Sequence, residues 1–249
     1  MNSDPENEWP PAVEVLNENG ASNFVLLCEH ASNHIPLEYQ RLGLDERELK
    51  RHIAWDIGAA GVARLLSAAL DAPCFLSNYS RLLIDLNRPL GAESSIPLRS
   101  EATDIPGNSD ISPAEVERRA NIMFRPFHDA VAAHLDMRAS QNRPTRLVTI
   151  HSFTPEYLGV KRPWHVGILY DAAKDFSEAI LAGLRMDPAL NAAANEPYVI
   201  ARDGDYAIPI HGDDRGIDAA LVEIRQDLIS DNPGIREWAD RIARALLAT

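Results

Sequence analysis

A chain of 249 residues, 45 % of them hydrophobic, can bury one full core, and its formal net charge of −13 repels phosphate backbones and anionic lipid surfaces, which argues against nucleic acid and membranes as partners. No apolar stretch approaches the roughly 18 residues of a membrane span, and the acidic opening MNSDPENEWPP is unlike the basic start of a signal peptide. The two cysteines, Cys28 and Cys74, fall inside apolar runs where a reduced thiol packs as a small apolar group, so a cytoplasmic setting is expected.

After an irregular start to about residue 22, strand-like runs are expected at 24–29, 73–78, 82–86, 146–151, 165–170, 197–201 and 219–225. Helical patterns separate most of them, at 57–70, 112–139, 172–185 and 232–247. The helix at 112 opens on Ser112-Pro113-Ala114-Glu115, a capping serine, a first-turn proline and a glutamate placed to close a capping box, and the last helix opens on Asn232-Pro233. Strands alternating with helices make an α/β fold, and no repeat or composition break divides residues 1–249 into more than one domain. Residues 88–111 and 202–218 are rich in Gly, Pro, Asp and Ser and read as long loops of the kind that carry binding sites.

Four constellations carry chemistry. The first is Cys28-Glu29-His30-Ala31-Ser32-Asn33-His34, a polar turn directly after an apolar strand; His151 occupies the same kind of place after Leu147–Ile150. Carboxyl ends of strands in an open α/β sheet are where ligands and metals bind, and imidazole is the commonest metal ligand. The bland alternative is a helix-capping turn with solvated histidines. The second is Trp55-Asp56-Ile57-Gly58, where the aspartate is either an N-cap or a ligand. In the third, Tyr79 to Pro89, Arg81 and Arg88 bracket an apolar run that contains Asp85, so an Arg81–Asp85 ion pair is expected, while Asn87 and Arg88 can meet a substrate carboxylate. In the fourth, Glu223 and Arg225 lie two apart on one strand face, either as a structural pair or as a base beside an anion-binding group.

In order, GluHisAlaSerAsn at 29–33, TrpAspIleGlyAla at 55–59, TyrSerArgLeuLeuIleAspLeuAsnArgPro at 79–89, IleProGlyAsn at 105–108, HisSerPheThrPro at 151–155 and GluIleArgGlnAsp at 223–227 resemble the N-formylglutamate amidohydrolase family. The resemblance implies a three-layer α/β fold like that of the zinc carboxypeptidases and aspartoacylases: a mixed, mostly parallel central sheet with helices on both faces and zinc at the strand ends. It implies His30, Asp56 and His151 as zinc ligands, with Glu29 an alternative carboxylate, Glu223 as the catalytic base and Arg88 as a second catalytic group. Arg81, Asn87, Arg225 and Asn33 are then the substrate-binding candidates, His165 and His211 possible further contacts, and a small anionic N-acyl amino acid such as N-formylglutamate the substrate. Two rival readings are a non-catalytic or regulatory binding protein that keeps the fold, and a metal-free hydrolase with Ser32 or Ser152 as nucleophile. No Gly-x-Ser-x-Gly elbow supports the latter.

Overall fold

The computed structural model of the protein describes residues 9–249, so the expectation for residues 1–8 lies outside the described residues. In chain order the elements are β1 (Val13–Leu16), β2 (Phe24–Cys28), α1 (Ala59–Leu70), β3 (Cys74–Ser77), β4 (Arg99–Ser100), β5 (Thr103–Asp104), α2 (Pro113–Arg119), α3 (Arg125–Ser140), β6 (Arg146–Phe153), β7 (Glu156–Tyr157), β8 (Val160–Lys161), β9 (Val166–Leu169), α4 (Lys174–Leu184), β10 (Ala192–Ala194), β11 (Asp218–Arg225) and α5 (Asn232–Leu247). Seven strands form one sheet in the order β1-β3-β2-β6-β11-β9-β10. Its centre, β3-β2-β6-β11, is parallel. β1 runs antiparallel to β3, and β9 antiparallel to β11 with β10 parallel beside it. The expected mixed, mostly parallel sheet is the one observed.

Side chains two apart on a strand share a face. Leu26, Val148, Ile150, Val222 and Ile224 pack against α1, α4 and α5. Val25, Leu27, Leu147 and Leu221 pack on the other face against Phe127, Val131 and Leu135 of α3. Both faces are therefore covered, which is why the central strands read as unbroken apolar runs rather than alternating ones.

The helix expected at 112–139 is α2 and α3 joined through a π-turn at Ala120–Phe124. Pro126, in the first turn of α3, has no N–H to give the preceding turn, so the backbone widens there. Ser112 caps α2 by accepting the Glu115 N–H at 3.2 Å, but the Glu115 carboxylate takes the Arg119 guanidinium at 2.9 Å instead of closing a capping box.

Two expected strands are corrected. Leu82–Leu86 is a buried turn: Leu83 N–H donates to the Ser80 carbonyl at 3.0 Å and Arg88 N–H to the Asp85 carbonyl at 3.2 Å. The cause is local, since the Ser80 hydroxyl accepts from Leu82 N–H (3.3 Å) and the Asp85 carboxylate from Asn87 N–H (2.9 Å), offering the backbone partners that a ladder would have supplied. Residues 197–201 are irregular, and the strand in that region is β10, just upstream; Pro197 cannot donate to a ladder and Val199 is 68 % exposed. Conversely, β1 lies within the stretch read as irregular, paired to β3 through Val13–Leu16. One glycine shapes the opposite edge, that of β9 and β10: a Cβ at Gly167 in β9 would stand 1.6 Å from the Glu196 carbonyl oxygen, so only glycine lets the chain after β10 cross there.

The 202–218 loop contains a second π-turn, Ala207–Gly212. Its His211 Nε2 lies 2.9 Å from His128 Nδ1, and His128 Nε2 lies 2.8 Å from the Leu86 carbonyl. The carbonyl can only accept, so His128 carries its proton on Nε2 and His211 donates to it; both rings are neutral. Burial, with each ring's cationic or imidazole neighbour adding to it, pushes His128 down to about 3 and His211 to about 4. An unfolded chain takes up these two protons below its ordinary value of 6.5, whereas the folded chain resists until about 4 and 3, so stability is lost as pH falls from 6.5. The expected loss is at most about 2 kcal/mol per imidazole between pH 7 and 5, read from urea midpoints. His211→Gln should flatten that pH slope; an unchanged slope would put its origin elsewhere.

Candidate active site

Register builds the centre of the site. Glu223 and His151 are direct cross-strand partners in β11 and β6, and Leu27 pairs with Thr149, so Glu29, two residues past Leu27, extends the row beside His151. Each of these three residues continues the face that carries Leu27, Leu147 and Leu221 lower in the sheet. That face is apolar until the carboxyl ends of the strands and then becomes a row of Glu29, His151 and Glu223, with 0, 2 and 7 % exposure.

Asp56 enters from the segment before α1. It does not cap that helix: the N-cap is Gly58, at φ 81°, and a Cβ there would stand 2.2 Å from the Ile229 carbonyl oxygen. Left-handed glycine therefore turns the chain into α1 and leaves the Asp56 carboxylate aimed inward. Its Oδ2 lies 3.3 Å from His30 Nδ1 and 2.9 Å from His151 Nδ1, and accepts the Ser152 N–H at 3.2 Å. The two imidazoles stand perpendicular, with ring centres 4.8 Å apart. Their other nitrogens are held from behind, His30 Nε2 by Asp85 at 2.7 Å and His151 Nε2 by Glu29 at 2.9 Å. Asp85 is gripped in turn by Arg81, at 2.9 Å through Nε and 2.6 Å through Nη2, which is the expected ion pair.

Ligand atoms of His30, Asp56 and His151 all lie within 4.8 Å of one another. Three features suit a divalent cation there. Both imidazoles present the same nitrogen inward while a carboxylate fixes the opposite one, the arrangement that orients metal-binding histidines. Glu29, Asp56, Asp85 and Glu223 are all buried, and the Arg81 guanidinium meets only Asp56 and Asp85, so the cluster can take a further cation. Glu29 Oε1 and Glu223 Oε2 are buried without a hydrogen-bond partner. Burial would raise the Asp56 carboxyl, but the facing His30 and His151 rings hold it well below the usual carboxylate range. Burial opposes charge on His151, yet Asp56 and Glu29 hold its ring well above the usual histidine value. Glu223 behaves differently, because burial outweighs the neighbouring histidines and pushes it up to about 7.

A cavity of about 530 Å³ opens over this centre, and Arg81, Asn87, Arg88 and Ser152 line it alongside His30, Asp56, His151 and Glu223. Arg88, with a third of its side chain exposed, bonds the Gly204 carbonyl and lies 3.5 Å from Asp205. Asn87 turns its amide oxygen to the N–H groups of Tyr206 (3.2 Å) and Ala207 (2.9 Å), pinning the 202–218 loop to the cavity wall. Other candidates fall elsewhere. Asn33 donates to the Leu49 carbonyl at 2.8 Å and is not part of the lining. Arg225, also outside it, pairs with Asp227 at 2.8 Å across the end of β11, because the chain turns there and brings that aspartate under its guanidinium. His165 accepts the Asn191 N–H at 2.9 Å, and His211 serves His128. The Ser152 hydroxyl donates to the Ile57 carbonyl at 2.9 Å and the Ser32 oxygen accepts the His34 N–H at 3.1 Å, so neither is set up as a nucleophile by these bonds. Sequence reasoning missed the work of Asp85 and Glu29 behind the imidazoles. Glu29 carries a signal, two residues past Leu27 on the His151 side; Asp85 carries none, since its run is not a strand. Tyr157, Tyr198 and Asp205, which also line the cavity, had no pattern to reveal them.

These features define a three-layer α/β protein with a His, Asp and Glu centre at the carboxyl edge of its sheet. The model of the N-formylglutamate amidohydrolase family matches residues 22–230, and the chain belongs to that family. Membership supports a hydrolase acting on an N-formylglutamate-like amide. Among solved structures, the chain is 38 % identical to the gene product Atu2144 from Agrobacterium tumefaciens, with 96 % of each chain covered and a TM-score of 0.91. The N-formylglutamate amidohydrolase from Ralstonia eutropha JMP134 is 17 % identical, with 96 % of each chain covered and a TM-score of 0.65, a likeness of fold. Comparison with curated protein sequences yields no match. No helix among the described residues is long and apolar enough to cross a membrane.

If the His30, Asp56 and His151 group holds a metal ion and Glu29 orients His151, then Glu29→Gln, which keeps the shape and one hydrogen bond, should weaken zinc binding by about 10- to 100-fold while thermal unfolding of the apoprotein changes little. Competition against a chromophoric chelator measures this; undiminished affinity would mean the ring is positioned without the carboxylate.

Proposed function

We propose that the chain is a zinc-dependent amidohydrolase that cleaves the amide of a small N-acyl amino acid of the N-formylglutamate type. The observation that carries this reading is the Glu223 carboxylate, raised to about 7 and with Oε2 unpartnered, facing the cavity beside three convergent ligand atoms. His30, Asp56 and His151 would hold the ion, and a bound zinc would acidify a water towards a pKa of about 7 and polarise the amide carbonyl. Asp85 and Glu29 keep the imidazole nitrogens aimed at it. Glu223 accepts the proton of the attacking water at its free oxygen and delivers it to the departing nitrogen. That group suits the role, since a base works best with a pKa close to the working pH. Arg81 and Arg88 supply the positive charge on the cavity wall, where an oxyanion forms or the α-carboxylate of the substrate docks. The substrate is thus a small anion held by local geometry in a protein whose overall charge is −13. The buried free thiols of Cys28 and Cys74 fit a cytoplasmic setting.

Glu223→Gln should keep zinc and fold but lower kcat by about 10² to 10⁴, because the amide cannot take up the water proton. Near-normal turnover in the zinc-loaded variant would place the base elsewhere. Arg88→Lys keeps the charge and loses the planar fork. It should raise KM for N-formyl amino acids by about tenfold and leave their neutral amides little affected; equal loss on both would make Arg88 a support for the 202–218 loop.

A further inference from the structure

The cavity is larger and less basic than a site for a small dianion requires. Its volume of about 530 Å³ falls in the range of about 300 to 1,000 Å³ that holds drug-sized ligands, whereas an N-formyl group and an amino-acid backbone fill only the part next to the metal ligands. Part of the remainder is apolar. Its inner wall includes Leu169 and Leu221, each 2 % exposed. Its mouth is lined by Tyr157 and Tyr198, 36 and 43 % exposed, the first from the β7–β8 hairpin and the second from the segment that Gly167 admits across β9. Tyr198 shares the cavity lining with Glu223 and Arg81.

The two rings are fixed by one cation. The Arg162 guanidinium lies 4.8 Å from the Tyr157 ring centre and 4.9 Å from that of Tyr198, and its Nη1 donates to the Tyr198 hydroxyl at 2.9 Å. Arg162 is thereby committed to holding the aromatic pair, and it is not among the groups that line the cavity. The arginines that do line it, Arg81, Arg88 and Arg99, share it with five carboxylates, those of Asp56, Asp85, Glu101, Asp205 and Glu223. Arg81 is taken up by Asp85, and Arg99 pairs with Asp104 at 3.1 Å. One substrate carboxylate can be met at Arg88. A second, on the side chain, would lie against tyrosine faces with Glu101 and Asp205 in the same wall.

We infer that Tyr157 and Tyr198 form a subsite for an apolar, above all an aromatic, side chain, so that the favoured substrates are N-formyl derivatives of aromatic and branched apolar amino acids over that of glutamate. The inference rests on the amidohydrolase reading for its catalytic part and on the cavity alone for its binding part. Planar groups gain from stacking on rings already held in place, and the ordering cost has been met by Arg162.

Steady-state hydrolysis of N-formylphenylalanine, N-formylleucine and N-formylglutamate by the zinc-loaded protein tests it. The phenylalanine derivative should exceed the glutamate derivative in kcat/KM by about tenfold or more. Tyr157→Ala and Tyr198→Ala should each raise KM for the phenylalanine derivative by several-fold with kcat nearly constant, the signature of lost uniform binding, and raise it far less for the glutamate derivative. Tyr198→Phe, which keeps the ring and drops the Arg162 bond, should retain the preference. Equal or better use of N-formylglutamate, or parallel loss on both substrates in the alanine variants, overturns the proposal. Calorimetric titration of zinc-loaded Glu223→Gln with the same compounds separates the two failures. If no amide is turned over, the hydrolase reading fails, while tighter, Tyr198-dependent binding of N-formylphenylalanine still supports the subsite and its absence removes it.

Discussion

Asp56 Oδ2 receives His30, His151 and the Ser152 N–H at once, and the site is organised around keeping that buried carboxylate satisfied. An ionised carboxylate at 3 % exposure is tolerated only when donors surround it, and these donors come from two separate stretches of chain. The backbone repeats the same bracing. Asp56 N–H bonds the His30 carbonyl at 3.0 Å, Ser80 N–H the His34 carbonyl at 2.9 Å, Arg81 N–H the Ala54 carbonyl at 3.2 Å and Asp85 N–H the Ser95 carbonyl at 2.7 Å. Loops after β2, before α1 and after β3 are thus laced into one wall before any substrate arrives, which is the preorganisation a polar centre in a low-dielectric cavity needs.

The division of labour around that wall follows from depth. Asp85 and Glu29 each meet an imidazole nitrogen, so their charge serves orientation. Glu223, at the same depth but without a donor on Oε2, keeps its proton affinity close to neutrality. Environment thus gives carboxylates of similar chemistry separate duties within one site. The acidic character of the chain is compatible with an anionic substrate because Arg81 and Arg88 reach the cavity from the turn that Ser80 and Asp85 impose on residues 80–88. Were that stretch a strand, the two guanidiniums would not be brought round beside the strand ends.

Much of this was legible in residue order. The apolar runs of β2, β6 and β11, the polar residues at their carboxyl ends and the period of two within Ala219–Arg225 pointed to His30, His151 and Glu223. The spacing of Arg81 and Asp85 pointed to their pairing. The same rule of alternation placed Arg225 with Glu223, and there it failed, because β11 ends at that residue and the following turn supplies Asp227 as its partner. Leu82–Leu86 read as a strand because apolar content is all that a short buried run displays; the competing side-chain acceptors at Ser80 and Asp85 decided otherwise.

Alternation of strands and helices, the two-sided burial of the sheet and the chemical character of its strand ends were determined by the sequence itself, since they depend on periodicity, composition and short-range order. Which carboxylate meets which imidazole was decided only by tertiary structure. Asp56, Asp85 and Glu29 are equivalent as residue types, and their separate tasks arise from contacts across 26, 55 and 122 positions of chain. The aromatic mouth belongs to the same category: Tyr157 and Tyr198 come together over the cavity because Gly167 leaves room for a crossing chain and Arg162 holds both rings, a convergence that no local pattern encodes.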